Sequence, residues 1–148
     1  MRIEQGMFLL FLLITAMQDL KRKSVRLWVY ILFALGAAGA LIYLWASGQE
    51  VIWTDRILGA GLGLIMLGGS IAGRGSVGLG DGAFFLISGL MLGFWDNLAL
   101  LLYGSLCCGL YCLVLLAVNL LLCHRNIRKR TVPFLPFLIP VAIWIVWR

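Results

Sequence analysis

The chain has 148 residues, of which 63% are hydrophobic and only 12% charged, with a mean hydropathy of +1.04. Soluble domains are about half apolar and about a quarter charged, so this composition excludes one and predicts a chain whose solvent is mostly lipid. The formal charge of +6 does not indicate nucleic acid, because the twelve basic residues fall in short runs between apolar segments instead of along one polar face.

Six long apolar runs without strand-like alternation predict spanning helices over about residues 3–19, 27–46, 54–73, 82–95, 97–123 and 132–147. The expected fold is an all-α, polytopic membrane bundle, one domain over residues 1–148. In the first helix, Met7 to Met17 has the look of a secretory h-region, but Arg2 is offset by Glu4 while Lys21, Arg22, Lys23 and Arg26 follow the apolar run. A retained helix with its N-terminus outside is therefore expected. It ends in Gln18-Asp19-Leu20-Lys21, where Asp19 is either an interfacial carboxylate paired with Lys23 at i+4 or a functional acid.

On the third helix, Gly59/Gly63 and Gly69/Gly73 have the four-residue spacing that lets helix backbones approach in lipid. The following Gly73-Arg74-Gly75-Ser76-Val77-Gly78 matches G-x-G-x-x-G, yet it follows a membrane helix and no βαβ unit, which excludes a dinucleotide site. A P-loop fails for want of its Gly-Lys-Ser/Thr ending. Next comes Gly78-Leu79-Gly80-Asp81, just ahead of the apolar run from Ala83. Asp81 reads as an N-cap or as a functional acid. Gly78 and Gly80 read as a flexible loop, or as residues whose missing Cβ atoms admit a substrate backbone.

The fourth helix, at about 14 residues, falls short of the about 20 needed to cross a ~30 Å core, which places one of its ends inside the membrane's thickness. Cys107, Cys108, Cys112 and Cys123 lie on the fifth helix without the paired spacing of a zinc site, and are expected to be inert thiols. His124, the only histidine, belongs to the basic loop that follows.

With the N-terminus outside, the loops around 20–26, 74–81 and 124–131 carry nine of the twelve basic residues, which assigns them to the cytoplasm. Glu4, Glu50, Asp55 and Asp96 then fall on the outer side, and Asp19 and Asp81 alone among the acids on the inner side. Acidic groups at membrane depth are costly and mark function. Two carboxylates held close together share a proton near neutral pH, so that one draws a proton from water while the other donates to a carbonyl, as in aspartic proteases.

An aspartate closing the first helix ahead of a basic run (Asp19, Lys21 to Lys23), then Gly-x-Gly-Asp (Gly78 to Asp81), then a Pro-Phe-x-Pro-Phe segment (Pro133 to Phe137) opening the last helix resembles the type IV prepilin and archaeal preflagellin peptidases. The resemblance covers nearly the whole chain. It implies that Asp19 and Asp81 are the catalytic dyad and that the substrate is a prepilin-like precursor, cut at the cytoplasmic membrane face. Many members carry a lysine two residues after the motif aspartate, and Ile-Pro-Asn after the first one. Here stand Ala83 and Val25-Arg26-Leu27, differences that bear on substrate choice. The cysteine-rich, zinc-binding segment of the larger relatives is not present in this sequence, so proteolysis without methyl transfer is expected. No metal or cofactor and no nucleic acid is implied, and the expected partners are the precursor and the lipid bilayer. Two alternatives stand beside this reading: a proton-coupled transporter subunit that uses the acids as a relay, and a non-catalytic pilin-assembly factor.

Overall fold

The computed structural model describes residues 3–22, 26–72, 78–122 and 134–148. Lys23, Val25, Gly73, Arg74, Cys123, His124, the basic run that follows and Pro133 lie outside the described residues, as do the expectations attached to them. The described residues form six α-helices and one 3-10 turn: α1 (Ile3–Arg22), α2 (Leu27–Ala46), α3 (Trp53–Ala72), α4 (Leu79–Leu92), α5 (Phe94–Leu122), the turn Leu135–Phe137, and α6 (Leu138–Trp147). No strand occurs among them. α2, α3 and the Phe94–Val118 part of α5 are long and apolar enough to cross a membrane. They turn large apolar side chains outward, with Leu35 68%, Ile65 78% and Leu113 62% exposed, which suits lipid and not water. The chain is an all-α membrane bundle.

Two expected boundaries are corrected. The fourth helix runs from Leu79 to Leu92 instead of over 82–95, and the fifth begins at Phe94 instead of 97. The break falls at Gly93, whose φ of 89° lies where side-chain-bearing residues are rarely found. Hydropathy could not locate it, because Phe94 and Trp95 carry the apolar run straight through. At about 1.5 Å per residue α4 is about 21 Å long, and it remains shorter than the ~30 Å hydrocarbon core.

α4 is held against α3 by glycines. A Cβ on Gly59 would lie 2.7 Å from the carbonyl oxygen of Gly89, and one on Gly63 would run into the backbone of Leu86. From the other side, a Cβ on Gly82 would lie 2.8 Å from Leu67. Gly69, expected to serve the same way, has open space beside it. The buried Asn97 of α5 closes this seam: its Nδ2 donates to the carbonyls of Gly59 (3.1 Å) and Phe85 (2.9 Å), and its Oδ1 accepts from Ser88 Oγ (2.7 Å).

The end of the bundle where α4 stops and α5 starts is clasped by two neighbours on α3. Arg56 donates to the carbonyls of Leu90 (3.0 Å) and Met91 at the C-terminus of α4, where a cation suits the helix dipole. Its other nitrogen pairs with Glu4 of α1 at 2.7 Å. Asp55 Oδ1 accepts the N–H of Phe94 (3.2 Å), the first residue of α5. Both partners of the ion pair are nearly buried, and removing one partner of a buried pair strands the other's charge. Arg56→Met should therefore destabilise the protein by about 3–5 kcal/mol. Glu4→Gln, which can still accept from the guanidinium, should cost clearly less. Thermal unfolding in detergent checks both, and equal losses would contradict this account of the clasp.

Candidate functional site

α1 buries one stripe: Phe8, Phe11, Leu12, Thr15 and Ala16. α4 buries Phe84, Phe85 and Ser88. The two stripes meet through aromatic rings, Phe11 stacking on Phe84 with centroids 5.1 Å apart and planes at 17°. Helical periodicity extends both stripes to an acid. Asp19 lies four residues beyond Thr15, and Asp81 three residues before Phe84, so each continues a buried face to the end of its helix. Asp19 closes α1 where Asp81 opens α4, and the sequence-predicted pair comes together at the end of the bundle opposite the Arg56 clasp.

Asp81 is the third residue of α4, not its N-cap. Gly78 takes that position, and its carbonyl accepts from the N–H groups of Asp81 (3.0 Å) and Gly82 (3.3 Å). The Asp81 carboxylate folds back over the cap, so that a Cβ on Gly78 would lie 2.9 Å from Oδ2. A negative charge in the first turn suits the helix N-terminus. On the other side, a Cβ on Gly80 would lie 3.1 Å from the hydroxyl of Tyr30, and that hydroxyl donates to the Gly80 carbonyl at 3.0 Å. Neither glycine uses the left-handed region. What both supply in this structure is space for a neighbouring polar group.

Asp19 is oriented from the opposite direction. Its Oδ2 accepts the backbone N–H of buried Leu135 at 3.4 Å, the long end of the hydrogen-bond range. The 3-10 turn explains why that amide is available: Phe137 N–H is used within the turn (3.1 Å to the Phe134 carbonyl), and Pro136 has no N–H to give. Next to Asp19, Gln18 Oε1 accepts the N–H of Arg26 (3.1 Å), fastening the start of α2 to the end of α1.

Asp81 stands ahead of the apolar run from Ala83, outside the three helices long enough to cross. Burial first, and the charge of Asp19 second, push its carboxyl up to about 6. Sequence reasoning missed Tyr30, Gln18 and the role of the Leu135 amide. Tyr30 is one of several aromatic residues on a lipid-exposed helix, and Leu135 acts through its backbone. The prolines around it were the one available signal.

A family model described as the type IV leader peptidase family matches residues 6–114, a stretch that includes both Asp19 and Asp81. No curated protein and no solved structure matches the chain.

The electrostatics can be checked without a substrate. Infrared titration should show a protonated carboxyl band that disappears with a midpoint near pH 6, that is missing in Asp81→Asn, and whose midpoint falls in Asp19→Asn. A band indifferent to both substitutions would contradict the coupling.

Proposed function

The chain belongs to the type IV leader peptidase family, and from that premise we propose that it is a membrane aspartic endopeptidase that removes the leader of prepilin-like precursors at the cytoplasmic face of the cell membrane. Asp19 and Asp81 are its dyad. The observation that carries this reading is the meeting of these two acids at one end of the bundle, each on the buried face of its helix, with the charge of one acting on the other.

The chemistry follows from one proton shared between two carboxyls. Asp81, pushed up to about 6, holds that proton, and Asp19, oriented by the Leu135 N–H, is the carboxylate facing water. Asp19 takes a proton from a water molecule as its oxygen bonds to the scissile carbonyl carbon. Asp81 gives its proton to the carbonyl oxygen, which yields a neutral tetrahedral diol. Asp19 then gives its proton to the amide nitrogen while Asp81 takes one from a diol hydroxyl, so that the C–N bond breaks to a carboxyl and an amine and the pair again holds one proton. No cofactor enters these steps.

The substrate backbone must reach the dyad in extended form, and Gly78 and Gly80 flank Asp81 where a side chain would obstruct it. The basic loops around residues 20–26, 74–81 and 124–131 orient this end of the bundle toward the cytoplasm. The precursor's own apolar helix lies beside the bundle in the bilayer.

Purified protein incubated with a panel of prepilins should release leader peptides. Asp19→Asn and Asp81→Asn should each lower kcat at least about 10³-fold, on the scale seen when one member of a coupled catalytic unit is removed. Asp81→Asn should leave thermal stability unchanged or raised, since burial disfavours the charge it removes. Cleavage surviving either substitution would end the dyad assignment, while binding without turnover would favour an assembly factor and proton flux in liposomes a transporter.

Activity should also depend on pH in one direction near neutrality. Below about 6 Asp81 keeps the proton that the carbonyl needs, and above it that proton is lost. A fall of kcat/KM as pH rises through about 6 is therefore expected, and a profile that climbs from pH 5 to 8 would contradict the assignment of Asp81 as the donor.

A further inference from the structure

We propose that Tyr30 is a positioning residue for the acid pair, its hydroxyl holding the glycine-rich first turn of α4 so that the Asp81 carboxyl faces Asp19. The proposal rests on the peptidase reading above and names a residue that neither the motif pattern nor the family match singles out.

The first turn of α4 has little local reason to be rigid. Its N-cap is Gly78, which offers no side-chain hydrogen bond, and Asp81 is flanked by Gly80 and Gly82. Each helical glycine weakens such a turn relative to alanine. Order must come from tertiary contact. Gly82 is pressed against Leu67 of α3, which fixes the face turned away from α2. The other face is fixed by Tyr30, whose hydroxyl donates to the Gly80 carbonyl at 3.0 Å.

Tyr30 is itself well anchored. Its side chain is 7% exposed, its ring meets the edge of Phe11 with centroids 6.2 Å apart, and Phe11 in turn stacks on Phe84. The phenol thus connects the α1–α4 aromatic core to the peptide unit just before Asp81. A carbonyl has two lone pairs, so Gly80 can accept from Tyr30 and still take part in its helix. A displacement of about 1 Å in a reacting group can cost on the order of 100-fold in rate, so a tether on the preceding residue matters to turnover more than to binding.

The test is prepilin cleavage by the whole 148-residue chain, wild type against Tyr30→Phe. Tyr30→Phe keeps the ring and its packing on Phe11, so thermal unfolding should hold. Its kcat should fall about 10-fold or more while KM stays within about twofold. A second readout needs no substrate: in Tyr30→Phe the midpoint of the Asp81 carboxyl band should drop toward the ordinary carboxylate range, as the loosened turn lets water reach the carboxyl and carries it away from Asp19 on α1. Wild-type kcat in Tyr30→Phe or an unmoved band would each overturn the proposal. If Asp19→Asn and Asp81→Asn are inactive while Tyr30→Phe is fully active, this inference alone falls. If wild type cleaves no prepilin, the peptidase reading falls, and the band still decides whether Tyr30 positions Asp81.

Discussion

The structure depends on the close approach of α3 and α4. In lipid there is no hydrophobic drive to bring two apolar helices together, and association rests on backbone proximity and hydrogen bonds. α4 has only 14 residues and carries Asp81 on its first turn, so its depth and rotation are set by its neighbours. Gly59 and Gly63 let it lie against α3, Asn97 stitches that contact to α5, and Arg56 closes its far end. α1 joins through Phe11 and Phe84, and with α1 comes Asp19. Displacing the seam would move Asp81 without moving Asp19, and the effect of the Asp19 charge on Asp81 depends on their separation.

Much of this was legible in the sequence because lipid imposes strict patterns. The apolar runs gave the helices, and the short fourth run gave an element that cannot span alone. The asymmetric charges isolated Asp19 and Asp81 from the other four acids. Gly59 and Gly63 were legible from spacing, since a small residue every turn has few other uses in a membrane helix. The Gly93 break was not, because a residue that changes backbone direction leaves no mark on hydropathy when apolar residues stand on both sides. Arg56 looked like a topology signal on the outer side, yet it caps α4 and pairs with Glu4, contacts that exist only after three helices have assembled. Tyr30 and the Leu135 amide were hidden for the same reason: their partners are 50 and 116 residues away.

The two glycines of the Gly-x-Gly-Asp motif show how one residue can be open to more than one physical role. Read from sequence, they clear the way for a substrate. In the folded chain Gly78 also makes room for the Asp81 carboxylate to fold back over the helix start, and Gly80 for the hydroxyl of Tyr30. The roles are compatible, since space that a neighbouring polar group occupies in the resting protein is space that a peptide can enter when that group turns. They make different demands, however. A substrate path requires only that the cleft be open, whereas the folded-back carboxylate requires the cap to lack a Cβ even with nothing bound.

The two ends of the bundle treat carboxylates in opposite ways, and the contrast bears on which of them can do chemistry. At the clasp, Glu4 is paired with a guanidinium and Asp55 caps a helix, arrangements that fix each carboxylate as structure. At the other end, no ion pair among the described residues reaches Asp19 or Asp81. What Asp19 receives is a neutral N–H from Leu135, and what Asp81 receives is burial and the charge of Asp19. A guanidinium placed between the two acids would favour ionisation of both and leave no proton to donate. Neutral donors orient a carboxylate without forcing that outcome, which gives the Pro-Phe-x-Pro-Phe segment a physical purpose: it presents a backbone amide to Asp19 where a basic side chain would hold both acids ionised.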